Sequence, residues 1–259
     1  MKIFVAIPAR IQSKRLPGKI LKDIGGMPMI RRVLQRCACA KIPNDIFLCT
    51  DSKDLVNDAK DWGFKGLLTS GNCESGSERI ASVVSEIVGE NKLNESLIIN
   101  VQGDQPFIDP QIIDLMAQKF VNSEPLPAVI TPVYKLNPSK VDNPNIVKTL
   151  IASNGKILYF SRSAIPYIRD IDTKDWLKNN YFWGHVGIYG YRGDILKKWK
   201  DLPFSPLENL EKLEQLRLIE AGIEFGSFEV KGEFLSVDTE EQLEEARNIY
   251  YKEIKDLMD

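Results

Sequence analysis

Ile3–Pro8 is a short, unbroken apolar run, the pattern of a strand buried on both faces of a parallel sheet. The next apolar positions, Ile30, Val33, Leu34 and Cys37, fall on one face of a helix over Met29–Ala40, and Pro28 suits its first turn. Asp45–Thr50 reads as a second strand, Ser52–Trp62 as a helix and Lys65–Thr69 as a third strand. Ser75 stands three residues before Glu78 and ahead of Ile80, Val83, Val84 and Ile87, so a capping box opens an amphipathic helix there. Leu97–Val101 is the most apolar strand candidate, and it stops abruptly at Gln102-Gly103-Asp104. This alternation predicts a parallel sheet in a three-layer arrangement.

The pattern then changes. Ala128–Tyr134, Ile146–Ile151, Ile157–Ser161 and His185–Tyr191 read as strands with few helices between them. Asn137–Asn145, with its two prolines, and the polar stretch Asp170–Asn180 read as loops. Leu207–Ala221 reads as a helix closed by Gly222, Glu224–Val230 as a late strand, and Thr239 with Gln242 as the capping box of a terminal helix.

Composition bounds the possibilities. Of 259 residues, 43% are apolar and 27% charged, ordinary for one large α/β domain. A formal net charge of −2 offers no broad basic field, so nucleic acid is not an expected partner and anion binding must come from a local cluster. No apolar run approaches the ~18 residues a membrane helix needs, and no signal-peptide pattern precedes the first strand, so a cytoplasmic enzyme is expected. Cys37, Cys39, Cys49 and Cys73 lack metal-ligand spacing and His185 is the only histidine, so the expectation is reduced, mostly buried thiols and no zinc site.

Such a local cluster follows the first strand. Arg10, Lys14, Arg15 and Lys19 fall within ten residues, beside the Pro17-Gly18 turn. A loop at the carboxyl end of a parallel strand is where open α/β sheets bind ligands, and these cations suit phosphate oxygens. Neither a Walker loop nor a Gly-x-Gly-x-x-Gly fingerprint is present. Asp104, at the end of the most apolar strand, is a candidate Mg²⁺ ligand, and Gly103 lets backbone approach closely. Asp238, ahead of the terminal helix, is a second carboxylate. Ser75, Gly76 and Arg79 lie at a helix N-terminus, where backbone N–H groups can face polar ligand atoms.

The residues Arg10, Arg15, Pro17, Gly18 and Lys19 resemble the signature of sugar nucleotidyltransferases, and "IPARIQSKRLPGKIL", "NVQGDQP", "SGSERI", "YFSRSAIP", "GHVGIYGYR" and "LENLEKLEQLRL" together resemble the CMP-KDO synthetase family, where KDO is 3-deoxy-manno-octulosonate. The resemblance runs from Ile7 to about Ala246. It implies a three-layer α/β/α nucleotidyltransferase fold, Rossmann-like and of the glycosyltransferase-A type, with a mixed, mostly parallel central sheet. One domain over 1–259 is implied, with a CTP-binding half (1–125) and a sugar-binding and dimerisation half (126–259), and a homodimer. It further implies that Arg10 and Lys19, helped by Arg15, grip the CTP phosphates, and that Asp104 and Asp238 pair as magnesium ligands. Ser75, Gly76 and Arg79 fall in its cytosine and ribose region. Arg162 is implied to bind the sugar carboxylate, His185, Glu214 and Gln215 its hydroxyls, and Gln102 to act near the carboxylate or anomeric centre. Family members usually read Gln-Gly-Asp-Glu-Pro where this chain has Gln105.

The expected reaction is attack of the sugar's anomeric hydroxyl on the α-phosphorus of CTP with loss of pyrophosphate, Mg²⁺ as the metal and His185 as a positioning group rather than a base. Rival readings are a cytidylyltransferase for an 8-amino KDO analogue or a nonulosonate, transfer of another nucleotidyl group to a sugar phosphate, and a non-catalytic nucleotide-binding module.

Overall fold

The computed structural model describes residues 1–13, 15–172, 175–176, 182–232 and 234–258, with backbone alone at 90–92 and 253–258. Lys14 and most of the end of the expected 170–180 loop (173, 174 and 177–180) lie outside the described residues.

The first half winds as the alternation predicts. Strands β1 (Lys2–Ala9), β2 (Asp45–Thr50), β3 (Lys65–Leu68) and β4 (Ser96–Asn100) are parallel and lie in the order β4-β1-β2-β3. Every residue of β4 is buried, as is all of β1 after Lys2. Each large aliphatic side chain so buried contributes about 1.5–3 kcal/mol, which explains why these runs are continuous rather than alternating. Helix α1 (Met29–Ala38) buries Met29, Ile30, Val33, Leu34 and Cys37; α2 (Lys53–Asp61) is capped by Ser52; α3 (Gly76–Val88) is capped by Ser75, whose Oγ accepts from the Glu78 N–H at 3.1 Å. The Glu78 carboxylate reaches back one residue further than a standard capping box, to the Glu74 N–H at 2.8 Å. Helix α4 (Pro110–Val121) was not anticipated, although Asp109 caps it, Pro110 opens it, and Ile112, Ile113, Met116, Ala117 and Phe120 give it a buried face.

The chain runs β1→β2→β3 to one side, then jumps across β1 to form β4 on the other. That reversal between β1 and β4 opens a crevice at their carboxyl ends.

The second half departs from the expectation of a mostly parallel sheet. Among the described residues, four of ten strand pairings are parallel; the antiparallel ones all involve the later strands β5 (Val129–Lys135), β6 (Lys148–Ile151), β7 (Lys156–Ser161), β8 (Trp183–His185), β9 (Tyr189–Arg192) and β10 (Phe225–Glu229). The reason lies in the connections: few helices separate these strands, and a parallel pair needs a crossover. β9 joins β4 to β5, making one ten-stranded sheet. Beyond it β5-β8-β6-β7-β10 closes on itself through the β10–β5 pairing. Strand β5 changes partner from β9 to β8 around Thr131 and Pro132, and Pro132 has no N–H to give to a ladder. Thr131, Phe160, His185 and Phe225, from four strands of this ring, pack together inside it.

The sequence reading made His185–Tyr191 one strand; the structure divides it into β8 and β9 around Val186-Gly187-Ile188. It also divides the expected 207–221 helix into α6 (Pro206–Glu211) and α7 (Leu216–Glu220), after a short α5 (Gly193–Lys197). Lys212, at φ 54°, turns the chain left-handed between them. Arg162 holds the break open by donating to the Glu211 carbonyl at 2.7 Å and the Lys212 carbonyl at 3.4 Å.

Helix α8 (Glu240–Met258) returns to the first half, where Val237, Leu243 and Ala246 pack on Leu16, Ile24 and Met29. Its capping box forms as expected: Gln242 N–H donates to Thr239 Oγ1 at 3.3 Å, and Gln242 Oε1 accepts from the Thr239 N–H at 3.1 Å. Tyr250 lies 3.8 Å from the Arg32 guanidinium and fills the space beside Gly25. Gly25 has φ 60°, and a Cβ there would fall 1.7 Å from the Tyr250 ring, whereas Gly63, at φ 86°, faces open space. Gly63→Ala should therefore cost only left-handed strain, about 1 kcal/mol, while Gly25→Ala should add the collision and reach about 2–3 kcal/mol. Urea denaturation of the two variants measures the difference.

Candidate active site

The crevice between β1 and β4 continues into a cavity of 570 Å³. The end of β1 and its loop supply Arg10, Arg15 and Lys19; the turn after β4 supplies Gln102 and Asp104; the start of α3 supplies Ser75, Gly76 and Arg79; Asp238 comes from ahead of α8. Gly76 is needed for this closeness, since a Cβ there would lie 3.0 Å from Pro8 and 3.1 Å from Gln102. Gly103 likewise fits against the Pro8 carbonyl and Ile30, where a Cβ would be 3.1 Å from each.

At the cavity floor the Lys19 ammonium bonds both Asp104 (2.6 Å) and Asp238 (2.8 Å). Burial alone would lower the Lys19 pKa, but the two carboxylates outweigh it and the net shift is upward. Arg15 pairs with Asp238 at 2.9 Å, and with a side chain 65% exposed it adds little. The Val237 N–H donates to the Asp104 carbonyl at 2.9 Å, so the backbone itself fastens the two carboxylate-bearing segments. Arg10 is exposed on the cavity wall.

The two carboxylates converge on one cation, with no third acidic, histidine or cysteine ligand clustered among the described residues. That donor set suits Mg²⁺, which takes one or two carboxylates and completes its shell with phosphate oxygens and water.

Arg79, which the family resemblance puts in the cytosine and ribose region, already has protein partners. It is buried and its guanidinium donates to the Thr69 hydroxyl, to the Ser70 carbonyl at 3.2 Å and to Asp51 at 3.3 Å. It lines the cavity, but its donors brace the loops that leave β2 and β3.

A second cavity, of 370 Å³, adjoins the first from the side of the strand ring. Gln102, Asp104, Lys212, Glu214 and Asp238 line both. Arg162, His185 and Gln215 face the second one. Besides its bonds to Glu211 and Lys212, Arg162 donates to the Pro144 carbonyl at 2.8 Å, so three of its five N–H groups are engaged by backbone. Fully buried Lys148, which the sequence reading passed over, donates in turn to the Arg162 and Asn143 carbonyls.

His185 packs against Phe160 (ring centroids 4.7 Å) and shares a 2.9 Å hydrogen bond between Nε2 and Thr131 Oγ1. The Thr131 hydroxyl has one proton and gives it to the Ile188 carbonyl at 2.7 Å. The imidazole must then donate from Nε2, which leaves Nδ1 as an acceptor. Burial pushes the His185 pKa down to about 3, so the ring is neutral and a poor base at neutral pH.

Glu214 ties the cavities together. Its carboxylate accepts from the Ser77 N–H at 3.2 Å and from Ser77 Oγ at 2.9 Å, and Ser77 Oγ in turn accepts from Asn100 and meets Tyr191. Asn100 accepts from Gln102 at 3.1 Å, completing a buried chain from one cavity wall to the other. Burial pushes the Glu214 carboxyl up, and the Ser75 and Ser77 hydrogen bonds pull it partly back. Ser77 stands in the SGSERI helix start that the sequence singles out, whereas Asn100, Tyr191 and Lys212 do not emerge from the sequence as site residues. A lone Asn inside the apolar run Leu97–Val101 is the available signal for Asn100, and Lys212 carries none.

A family model described as cytidylyltransferase matches residues 4–225. A 3-deoxy-manno-octulosonate cytidylyltransferase of Chlorobaculum parvum is 36% identical over 96% of this chain and 98% of its own length. The chain belongs to the 3-deoxy-manno-octulosonate cytidylyltransferase family. A relative of that description from Escherichia coli is likewise 36% identical, covering 98% of both chains. A solved structure of CMP:2-keto-3-deoxy-manno-octonic acid synthetase complexed with CTP superimposes with a TM-score of 0.87 at 35% identity, over 98% of this chain and 100% of the other. The nucleotidyltransferase α/β fold expected for the family is thereby shared.

The neutral His185 makes stability pH-dependent. Its folded pKa of about 3 lies below the ordinary 6.5, so the unfolded chain takes up the proton first as pH falls. The stability it supports is intact above pH ~6.5 and drains away between there and its folded value. Between pH 7.5 and 5 the wild type should lose about 2 kcal/mol more than His185→Asn, read from denaturant midpoints at the two pH values.

Proposed function

We propose that this protein transfers a cytidylyl group from CTP to 3-deoxy-manno-octulosonate, giving CMP-KDO and pyrophosphate for lipopolysaccharide or capsule assembly. One observation carries the reading: two cavities share a wall at Asp104, Asp238 and Glu214, one rimmed by loop cations and the other enclosed by the strand ring. A triphosphate in the first and a sugar acid in the second meet at that wall.

Arg10, Lys19 and Arg15 offset the charge of the triphosphate and of the departing pyrophosphate. Ser75 and Gly76 present the start of α3 to the nucleoside. The Arg162 N–H groups not engaged by backbone take the sugar carboxylate, and Gln102 orients the anomeric centre. His185 Nδ1 accepts from a sugar hydroxyl, and Glu214 and Gln215 take others. These contacts hold the anomeric hydroxyl in line with the α-phosphorus, which is the main source of acceleration for such a transfer. Asp104 and Asp238 hold Mg²⁺, which when bound supplies Lewis-acid stabilisation of the phosphate oxygens and a lowered hydroxyl pKa. The reading includes a homodimer acting in the cytoplasm, with the second half at the interface. Leu158, Phe204 and Leu210 give that half exposed apolar surface.

The deciding experiment incubates the purified protein with CTP, Mg²⁺ and a panel of 2-keto sugar acids and follows pyrophosphate. KDO should support turnover that chelation abolishes; CTP binding without pyrophosphate release would make the protein a binding module. Asp104→Ala should lose at least ~10²-fold in kcat. His185→Ala should raise KM for the sugar while kcat holds; the reverse split would make His185 a participant in the chemical step.

A further inference from the structure

The sugar-side cavity holds a hydrogen-bonding group that the mechanism leaves unused. Gln105 follows Asp104 directly, lines that cavity and is 8% exposed. Its backbone is fixed on both sides: its N–H donates to the Gln102 carbonyl and its carbonyl accepts from the Ile108 N–H, each at 3.2 Å. Its side-chain Oε1 is buried and has no hydrogen-bond partner among the described residues. Gly187 borders the amide; a Cβ there would stand 3.8 Å from Nε2. A buried amide oxygen left unpaired is costly, and native proteins tolerate one where a ligand or water completes it.

Position separates this atom from most other unpartnered ones. Arg31 Nε, Asp51 Oδ1 and Trp199 Nε1 lie on residues that do not line the cavity. The other unpartnered atom on its wall is Gln215 Nε2, from a side chain 2% exposed. The wall of one cavity therefore contains an uncharged acceptor and an uncharged donor that the described residues leave unpaired, beside Arg162 and Glu214.

We propose that Gln105 is a specificity-determining residue whose Oε1 accepts a hydrogen bond from one hydroxyl of the sugar acid. The proposal rests on assigning this cavity to the sugar. A polar atom that is unpaired without its ligand rejects an analogue lacking the matching hydroxyl, because the pocket then stays unsatisfied. A carboxylate at the same position would still accept from that hydroxyl, whereas an apolar side chain of the same size would not.

Steady-state kinetics with CTP, KDO and a set of mono-deoxy sugar acids test this in the wild type, Gln105→Leu and Gln105→Glu. Gln105→Leu should raise KM for KDO about 5–10-fold, the scale of one uncharged hydrogen bond, with KM for CTP unmoved. Gln105→Glu should restore KM to within about 3-fold of wild type because it restores an acceptor. One deoxy acid should be about 5–10-fold poorer than KDO with the wild type and equal to it with Gln105→Leu, since the two deletions remove the same contact. If Gln105→Leu no longer binds CTP, Gln105→Met takes its place. Wild-type turnover with an unchanged KDO KM in Gln105→Leu overturns the proposal alone, as do strictly additive penalties for every deoxy acid. A wild type that releases no pyrophosphate with any sugar acid overturns the assigned function, and this proposal with it.

Discussion

The site depends on one ammonium group meeting two carboxylates. Asp104 lies in the turn after the fully buried strand β4 and Asp238 precedes the last helix, so nothing local holds them together. Two anions aimed at one point repel, and a fixed cation between them removes that cost. Lys19 provides it, while the Val237-to-Asp104 backbone hydrogen bond and the packing of Val237 and Leu243 on Leu16, Ile24 and Met29 set the distance. The basic loop thus has a structural duty besides the catalytic one proposed for it: a charge suited to a triphosphate also keeps the acidic pair assembled.

The second constraint is the seam between the cavities. A parallel half and an antiparallel half share one sheet, but their loops must still be held in register where the two cavities meet. The buried chain Gln102–Asn100–Ser77–Glu214 does this through hydrogen bonds rather than apolar contact. Such networks demand a single arrangement, because any slip leaves a buried polar atom unpaired. Arg162 and Lys148 act alike on the ring side, pinning backbone carbonyls around the left-handed turn at Lys212. A residue that looks from sequence like a free anion clamp is thereby also a bracket for the loop carrying Glu214.

What the sequence could convey follows from this division. The parallel half was legible because burial on both faces writes unbroken apolar runs, and because capping boxes at Ser75 and Thr239 mark helix starts. The closed ring was not, since short strands such as β8, three residues long, carry too little period to show their partners. The candidate site residues that the sequence and the family resemblance single out all line one cavity or the other. Their present partners were not legible. Nothing in "SGSERI" says that Arg79 turns away to Asp51 and Thr69, and no periodicity announces that the 207–221 helix breaks at Lys212.

The two cavities also differ in the kind of polarity they offer, and the difference matches the chemistry proposed for each. On the nucleotide side the groups are formal charges, placed where charge accumulates as a phosphorus–oxygen bond breaks. On the sugar side the buried groups include a histidine that burial keeps neutral, a carboxyl whose pKa burial raises, and two amides. In the proposed reading the neutral imidazole and the two amides suit the pattern of sugar hydroxyls, with Arg162 left for the carboxylate. In the proposed reaction a histidine with a pKa of about 3 is a poor proton acceptor at neutral pH, which leaves activation of the attacking hydroxyl to the wall that carries Asp104 and Asp238. Recognition and activation are thus separated in space and joined only where the cavities touch, which is why a change confined to the sugar side should alter selectivity before it alters the rate of bond breaking.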